Sequence, residues 1–456
     1  MEDKSKRLDI AVVGGGLVGA LIACLFAKRD HKIRIYEYRP DIRVADLRGQ
    51  SIDLSLSHRG RAALREVGLE DLIINHHAMP MRGRMIHMKS GTLSEMIYDR
   101  VHKNCIYSVN RMYLNKILLD AAEKSPNVQL NFNEKLIEAD LENGKMKFLN
   151  TNTQEILETE ADLIIGADGA FSTVRKIMSK RPRYDCGQTY IDHGYVELFV
   201  PPADENKFVM SSNHLHVWPR GEFMMIALPN SDKSFTGNLF APFKTLDSLN
   251  TPERLLKFYR EQFPDVLPLI GEKKLVDDFF ETEPKTLISI KTFFSKSTHT
   301  LQCKPYHVGN TALIIGDAAH AMVPFYAQGM NAGFEDVLLL DELMQRYNSD
   351  LSKVLPKFSD IRCDDAHAIC DLAMYNYLEM RDLVARKSFM LRKSLDTMLY
   401  RFFPNKWMPL YDTVHFSRMG FRMCMKNRAW QDKIIRRTIW SAGMMLLAIF
   451  LGLMIH

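Results

Sequence analysis

Three clusters of glycine and acid are spaced along this chain in a way that suits a long anionic ligand. The first is Gly14, Gly16 and Gly19 in "LDIAVVGGGLVGALIACLFAKRDHKIRIYE", with Glu37 18 residues beyond Gly19. A G-x-G-x-x-G turn between strand and helix lets a pyrophosphate approach the helix N-terminus. An acid ending the next strand accepts hydrogen bonds from a ribose diol. Glu37 would repel a 2′-phosphate, so the site suits NAD or FAD rather than NADP. The second cluster lies in "DLIIGADGAFSTVR", residues 162–175, and the third in "GDAAHAMVPFYAQGMNAGFED", residues 316–336. An NAD dehydrogenase would instead carry a catalytic His or Lys in a separate domain. Three such strand ends imply a ligand touched at several points, and FAD is long enough for that.

The elements that must position these residues follow from pattern. Ile10–Val13 is a continuous apolar run, as a buried parallel strand should be, and residues 17–28 read as an apolar helix. Lys32–Tyr36 and Leu163–Ile165 are further strands, and helices are expected from Ser172 and near Gly329–Gly333. The stretch "GRMIHMKSGTLSEMIYD", residues 83–99, alternates around Ser90-Gly91-Thr92 and predicts a hairpin. With the turn centred on Gly91, Arg84 and Tyr98 fall opposite each other, at a Cβ separation of ~4.5–5.5 Å. A guanidinium beside a phenol would clamp an amino-acid carboxylate, because arginine offers a planar bidentate fork. A plain surface Arg–Tyr stack is the competing reading.

Composition bounds the rest. The 456 residues are 46% hydrophobic and 25% charged, which predicts two or three globular domains. The net charge of +5 is modest and no basic arm suggests nucleic acid. Seven cysteines show no C-x-x-C pair and no metal spacing, as in a reduced compartment. No metal site is expected. A basic cluster (Arg418, Arg422, Lys426, Arg428, Lys433, Arg436, Arg437) precedes Thr438–Ile455, a stretch without charge. As a helix, that stretch reaches ~27 Å, slightly short of a ~30 Å hydrocarbon core. Including Ile434 and Ile435 closes the gap, so the sequence predicts one C-terminal transmembrane helix, a tail anchor with the globular part facing the cytosol.

Taken in order, the three motifs resemble those of the single-component FAD-dependent aromatic hydroxylases. The resemblance covers nearly the whole chain. It implies an α/β fold: a Rossmann-like FAD-binding domain with an inserted β-sheet substrate domain, a helical C-terminal region and the terminal membrane helix. The FAD-binding domain would comprise residues 1–80, 109–182 and 301–345, and a substrate-side hairpin residues 81–108. The β-sheet substrate domain would be 183–300, the helical domain 346–433 and the anchor 434–456. By the same likeness Asp317 bonds the ribityl chain, and the backbone at Met330 and Asn331 faces the isoalloxazine. Val18, Tyr36, Tyr38, Arg39, Ser55, Arg111, Leu136, Asp168 and Thr173 match further cofactor positions. Ala327 departs from the pattern, which more often has glycine there.

The stretches "SIDLSLSHRGRAAL", "MRGRMIH", "HLHVWPRGEFMMIALPN" and "DLAMYNYLEMR" are similar to the members of that family that hydroxylate L-kynurenine. This implies that Arg84 and Tyr98 bind the substrate carboxylate and that Asn376 and Tyr411 are further contacts. Leu215, Met224, Leu228, Phe240, Pro324 and Phe325 would line the ring pocket. NADPH would reduce the flavin, and O2 would form a flavin hydroperoxide that attacks the ring beside the aniline nitrogen. No protein acid or base is assigned, and His320 reads as structural. Without a second G-x-G-x-x-G, NADPH would dock only transiently. Likeness also places the chain in the mitochondrial outer membrane, within tryptophan catabolism. The rivals are a membrane-bound hydroxylase of phenols, quinones or sterol precursors, and a non-catalytic flavoprotein tether.

Overall fold

The computed structural model describes residues 7–44, 53–182, 184, 186–203, 206–281, 285–291 and 305–455. Its centre is a six-stranded sheet in which Asp9–Val13 lies between Lys32–Glu37 and Leu163–Gly166, all parallel. Ala312–Ile314 adds alongside Leu163–Gly166, and Val128–Phe132 alongside Lys32–Glu37. Strands covered on both faces read as unbroken apolar runs, which is why Ile10, Ala11 and Val12 have no solvent exposure. The register matters for function. Val13 pairs with Gly166 and Gly166 with Ile314, so all three glycine clusters leave from one edge of one sheet.

The helix Leu17–Ala27 is buried along nearly its whole length and is wedged under that edge. Gly19 permits this: a Cβ there would lie 2.0 Å from the Gly14 carbonyl oxygen. Gly14 itself has φ +109°, in the range that favours glycine.

A second sheet of seven strands carries the hairpin Gly83–His87 and Leu93–Ile97 at its edge, beside His214–Pro219. The hairpin register differs from the sequence expectation. Arg84 pairs with Met96, and the Tyr98 amide bonds the Arg82 carbonyl at 3.0 Å. The axis of the turn therefore passes through Ser90 rather than Gly91, which instead supplies φ +84°. The shift of Tyr98 against Arg84 is two residues, a full period of the strand, so both side chains still share a face.

Behind this sheet run the 31-residue helix Leu351–Arg381, the helix Lys387–Phe402, the short helix Leu410–His415 and the helix Phe421–Ile455. The expected membrane helix is corrected here: among the described residues no helix is long and apolar enough to cross a membrane. The basic cluster from Arg422 onward and the apolar stretch are one continuous helix whose first half packs on the 351–381 helix through Phe421 and Cys424. The tail anchor expected from the sequence loses its structural basis. Of the seven cysteines, six are described, and Cys303 lies outside the described residues.

Candidate active site

At the shared sheet edge the chain offers backbone rather than side chains. Gly16 caps the 17–27 helix, and a Cβ there would meet no atom within 4 Å, so space is open before the helix N-terminus. Glu37 accepts the amides of Gly15 at 2.7 Å and Arg39 at 3.1 Å. A carboxylate has about four acceptor positions, so capacity for a ribose remains. Asp168 spends Oδ2 on the amides of Thr173 (2.6 Å) and Val174 (3.1 Å), while its Oδ1 is buried without a partner.

The helix Gly329–Arg346 starts at the same edge. The amides of its first residues have no partner within the helix. Gln328, just before it, is fully buried with both amide atoms unpaired. Asp317 heads a short turn beside it, its Oδ1 3.7 Å from where a Cβ on Gly329 would sit. Buried polar atoms without partners are costly and rare, and here they line one edge together with open space. The donor set and its length fit an FAD.

Other expected cofactor positions divide by role. The Asn331 side chain is fully occupied: Oδ1 accepts the Ser57 amide at 2.8 Å, and Nδ2 donates to the carbonyls of Ser55 (2.8 Å) and Ala327 (2.6 Å). It fastens the strand Asp53–Leu56 to the helix, leaving only backbone for a ligand. Ala327 adopts φ +51°, the conformation that explains why glycine is usual there. Val18 is a spacer: a Cβ on Gly333 would lie 2.7 Å from its Cγ2. Tyr36 stacks on Phe148 at 4.1 Å, with Leu136 in the same core. Tyr38 is exposed beneath the Arg39 guanidinium, and Arg111 is exposed at the start of the helix Arg111–Glu123. Met330 is nearly buried.

The second half of the site is built from side chains. Arg84, 3% exposed, projects from the hairpin into the 351–381 helix. Its Nη1 bonds Glu379 at 2.7 Å and its Nη2 bonds Asn376 Oδ1 at 3.1 Å, while Nε is unpaired. Asn376 is held in turn by its Nδ2, which donates to the Phe325 carbonyl at 2.7 Å. The guanidinium lies 5.8 Å from the Tyr98 ring and 5.4 Å from the Tyr411 ring, and those two rings stack at 4.6 Å. The Tyr98 hydroxyl is buried and unpaired. Burial works most strongly against the charge on Arg84, but Glu379, Tyr98 and Tyr411 together outweigh it and hold the group above its ordinary pKa. Burial raises both tyrosines.

Around this clamp Leu215, Met224, Leu228, Phe240 and Phe325 form one apolar cluster with Tyr98. Phe240 meets Phe325 edge-on at 4.8 Å, and Phe325 stacks on Tyr377 at 3.9 Å. Pro324 is exposed at the start of the turn Pro324–Tyr326. His320 is bonded to Asp336 inside the core. Sequence reasoning passed over Glu379, although its place three residues after Asn376 on a helix put both on one face. It also passed over Lys393 and Asp412, whose roles depend on tertiary neighbours. Burial followed by the Asp99 charge pushes Asp412 up to about 8, and burial followed by Arg84 pulls Lys393 down to about 8.

Residues 7–371 match the family described as FAD binding domain. The chain is 53% identical over 447 residues to a kynurenine 3-monooxygenase of Anopheles gambiae, covering 98% of this chain and 90% of that one. It is 46% identical over 439 residues to a kynurenine 3-monooxygenase of Sus scrofa, covering 96% and 90%. The chain belongs to the kynurenine 3-monooxygenase family. It is thus an FAD-dependent aromatic monooxygenase. Solved structures agree on the fold of this family at much lower identity. A tetrameric 2-methyl-3-hydroxypyridine-5-carboxylic acid oxygenase superposes with TM-score 0.65 at 19% identity, over 87% of this chain and 97% of that one. Pseudomonas aeruginosa PqsL in complex with 2-aminobenzoylacetate gives 0.63 at 15% identity, over 83% and 97%.

Proposed function

We propose that this chain hydroxylates L-kynurenine to 3-hydroxy-L-kynurenine, with FAD bound, NADPH as reductant and O2 as oxidant. The observation that carries the substrate assignment is the buried Arg84, held by Asn376 and Glu379 between two tyrosine rings at the rim of an aromatic pocket. A phenol or a quinone gives no reason to bury a guanidinium. An amino acid does.

Arg84 Nε and the Tyr98 hydroxyl, both unpaired, receive the carboxylate. Glu379, already within 2.7 Å of Arg84, turns to the ammonium, so the zwitterion meets one charge of each sign. Asn376 fixes the guanidinium plane, and its tie to Phe325 links the clamp to the ring pocket. Leu215, Met224, Leu228 and Phe240 hold the aniline ring and keep water out, which protects a reactive oxygen donor from hydrolytic side reactions. Gly14, Gly16, Glu37, Asp168 and Asp317 would hold the FAD. The amides at Gly329, Met330 and Asn331 would stabilise negative charge on its reduced ring, as helix N-termini do. An FAD held by these residues would supply the hydride acceptance from NADPH and the O2 activation needed for transfer to the ring carbon beside the amine. The protein supplies position and exclusion of water, with no acid–base residue required.

The test is NADPH and O2 consumption by the flavin-loaded chain with and without L-kynurenine, with the product identified by mass. Kynurenine-dependent oxidation yielding a product heavier by one oxygen is expected. Flavin-loaded protein that ignores kynurenine would overturn the substrate assignment.

A further inference from the structure

Beside the Arg84 clamp, between the hairpin strand Leu93–Ile97 and the helix Lys387–Phe402, lies a cavity of about 170 Å³. Met96, Ile97, Arg100, Met390, Lys393 and Thr397 contribute to its walls. Three observations connect it to the clamp. First, Met96 is the strand partner of Arg84 and shares its face, so one wall of the cavity is the side of the clamp. Second, Met390 packs on the same apolar cluster as Tyr98 and Phe240, so the partition between cavity and ring pocket includes two methionines. An unbranched thioether with three rotatable bonds swings aside without moving backbone.

Third, the cavity holds cations with no anion of their own. Arg100 is exposed at the hairpin end and Lys393 is half-buried, yet neither forms an ion pair among the described residues. Lys393 carries the pull to about 8 described above, with Arg84 second to burial as its cause and Glu379 and Asp412 opposing. Glu95, also at the wall, is engaged with His214 at 2.9 Å. A half-buried lysine without a partner, one methionine away from a carboxylate clamp, has the placement of a staging post for the same ligand.

Resting on the substrate reading above, we propose that this cavity is the vestibule through which the amino-acid substrate enters. Its carboxylate is met first by Arg100 and Lys393 and then passed to Arg84 as Met96 and Met390 swing aside. The ligand class is an aromatic α-amino acid, drawn carboxylate first, and the cations raise its rate of entry by salt-screened, short-range contact with the carboxylate end of the zwitterion.

The experiment is stopped-flow binding of L-kynurenine to the oxidised holoprotein, followed by flavin absorbance at several salt concentrations. Lys393→Met and Arg100→Met should each slow association about tenfold at low salt and flatten its salt dependence. Ser394→Trp, at an exposed position on the cavity wall, should slow association and release together and leave their ratio within about twofold. That variant also carries the test if Lys393→Met loses flavin. Parental association rates and salt dependence in all three variants would overturn the vestibule while leaving the clamp intact. A parent protein whose flavin spectrum does not respond to kynurenine would overturn the substrate reading, and the vestibule with it.

Discussion

The two halves of this site are made of different material. The flavin half is backbone: glycines, helix-start amides and strand-end acids, gathered because Val13, Gly166 and Ile314 are neighbours in one sheet. The substrate half is side chains from separate segments, with Arg84 and Tyr98 at the hairpin, Asn376 and Glu379 on a long helix, and Tyr411 near the C-terminal end. A backbone cradle tolerates almost no added volume but needs little charge. A side-chain clamp tolerates reshaping but fails when one charge is left alone.

The largest effect should come from volume in the flavin half. Gly19→Ala drives a Cβ to 2.0 Å from a backbone oxygen and should yield protein without FAD and without its native unfolding transition. Gly16→Ala meets nothing within 4 Å of the chain, so it should fold with parental stability and still lose at least 100-fold in FAD affinity. Thermal melts with flavin titration separate the two. Parental FAD affinity in Gly16→Ala would break the comparison, because the open space would then not be ligand space.

Next in size is charge in the substrate half. Arg84→Met removes one partner of a buried pair and strands Glu379, a change that costs about 2–5 kcal/mol, or roughly 30- to 4,000-fold in kcat/KM for kynurenine. Its FAD content should match the parent. Smaller still, Glu379→Gln should cut the preference for L-kynurenine over its desamino analogue by about tenfold, measured as the ratio of kcat/KM values. An unchanged ratio would remove Glu379 from ammonium recognition.

The smallest effect is acid sensitivity of the substrate sheet. On the face opposite Arg84, His87 bridges Asp265 (2.7 Å) and His216 (2.9 Å), and burial holds His216 down at about 4. Between about 4 and the ordinary value near 6.5 the unfolded chain binds the proton that the folded one refuses, so stability is present above 6.5 and falls as pH drops toward 4. One unit is ~1.4 kcal/mol, so the loss is at most about 3 kcal/mol. Fluorescence of Trp218, stacked on His87 at 4.0 Å, should report loosening at pH 5 before the flavin absorbance changes. His216→Asn should flatten that dependence. Simultaneous loss of both signals would show that the halves do not yield separately.

The same division explains what was legible in the sequence. Glycine and aspartate at strand ends are local signals, so Gly14–Gly19, Asp168 and the 316–331 stretch could be placed on their elements in advance. The clamp was half visible. Alternation put Arg84 and Tyr98 on one face, but the turn axis at Ser90 was a tertiary outcome, and Glu379 stood unremarked within a quoted stretch. Only the backbone at Asn331 was expected to face the ligand; that its side chain joins two elements was not legible, because the tie depends on a strand 276 residues away. The terminal helix shows the reverse error: local hydropathy predicted a membrane span that the described residues do not make.

Arg59 sets the timing of assembly. This fully buried guanidinium bonds Glu335 at 2.6 Å and the Val414 carbonyl at 3.0 Å, and it lies 4.0 Å from the centre of the Phe421 ring. Its partner at residue 414 is 355 positions downstream. At roughly 5–20 residues per second, a ribosome needs about 20–70 s to deliver it. Glu335, 276 positions downstream, supplies the counter-charge first, and until Val414 and Phe421 follow the guanidinium lacks its carbonyl and ring partners. A chain stalled or cleaved before Phe421 would expose that defect to proteases, so the late C-terminal segment acts as the checkpoint for a domain begun at the N-terminus.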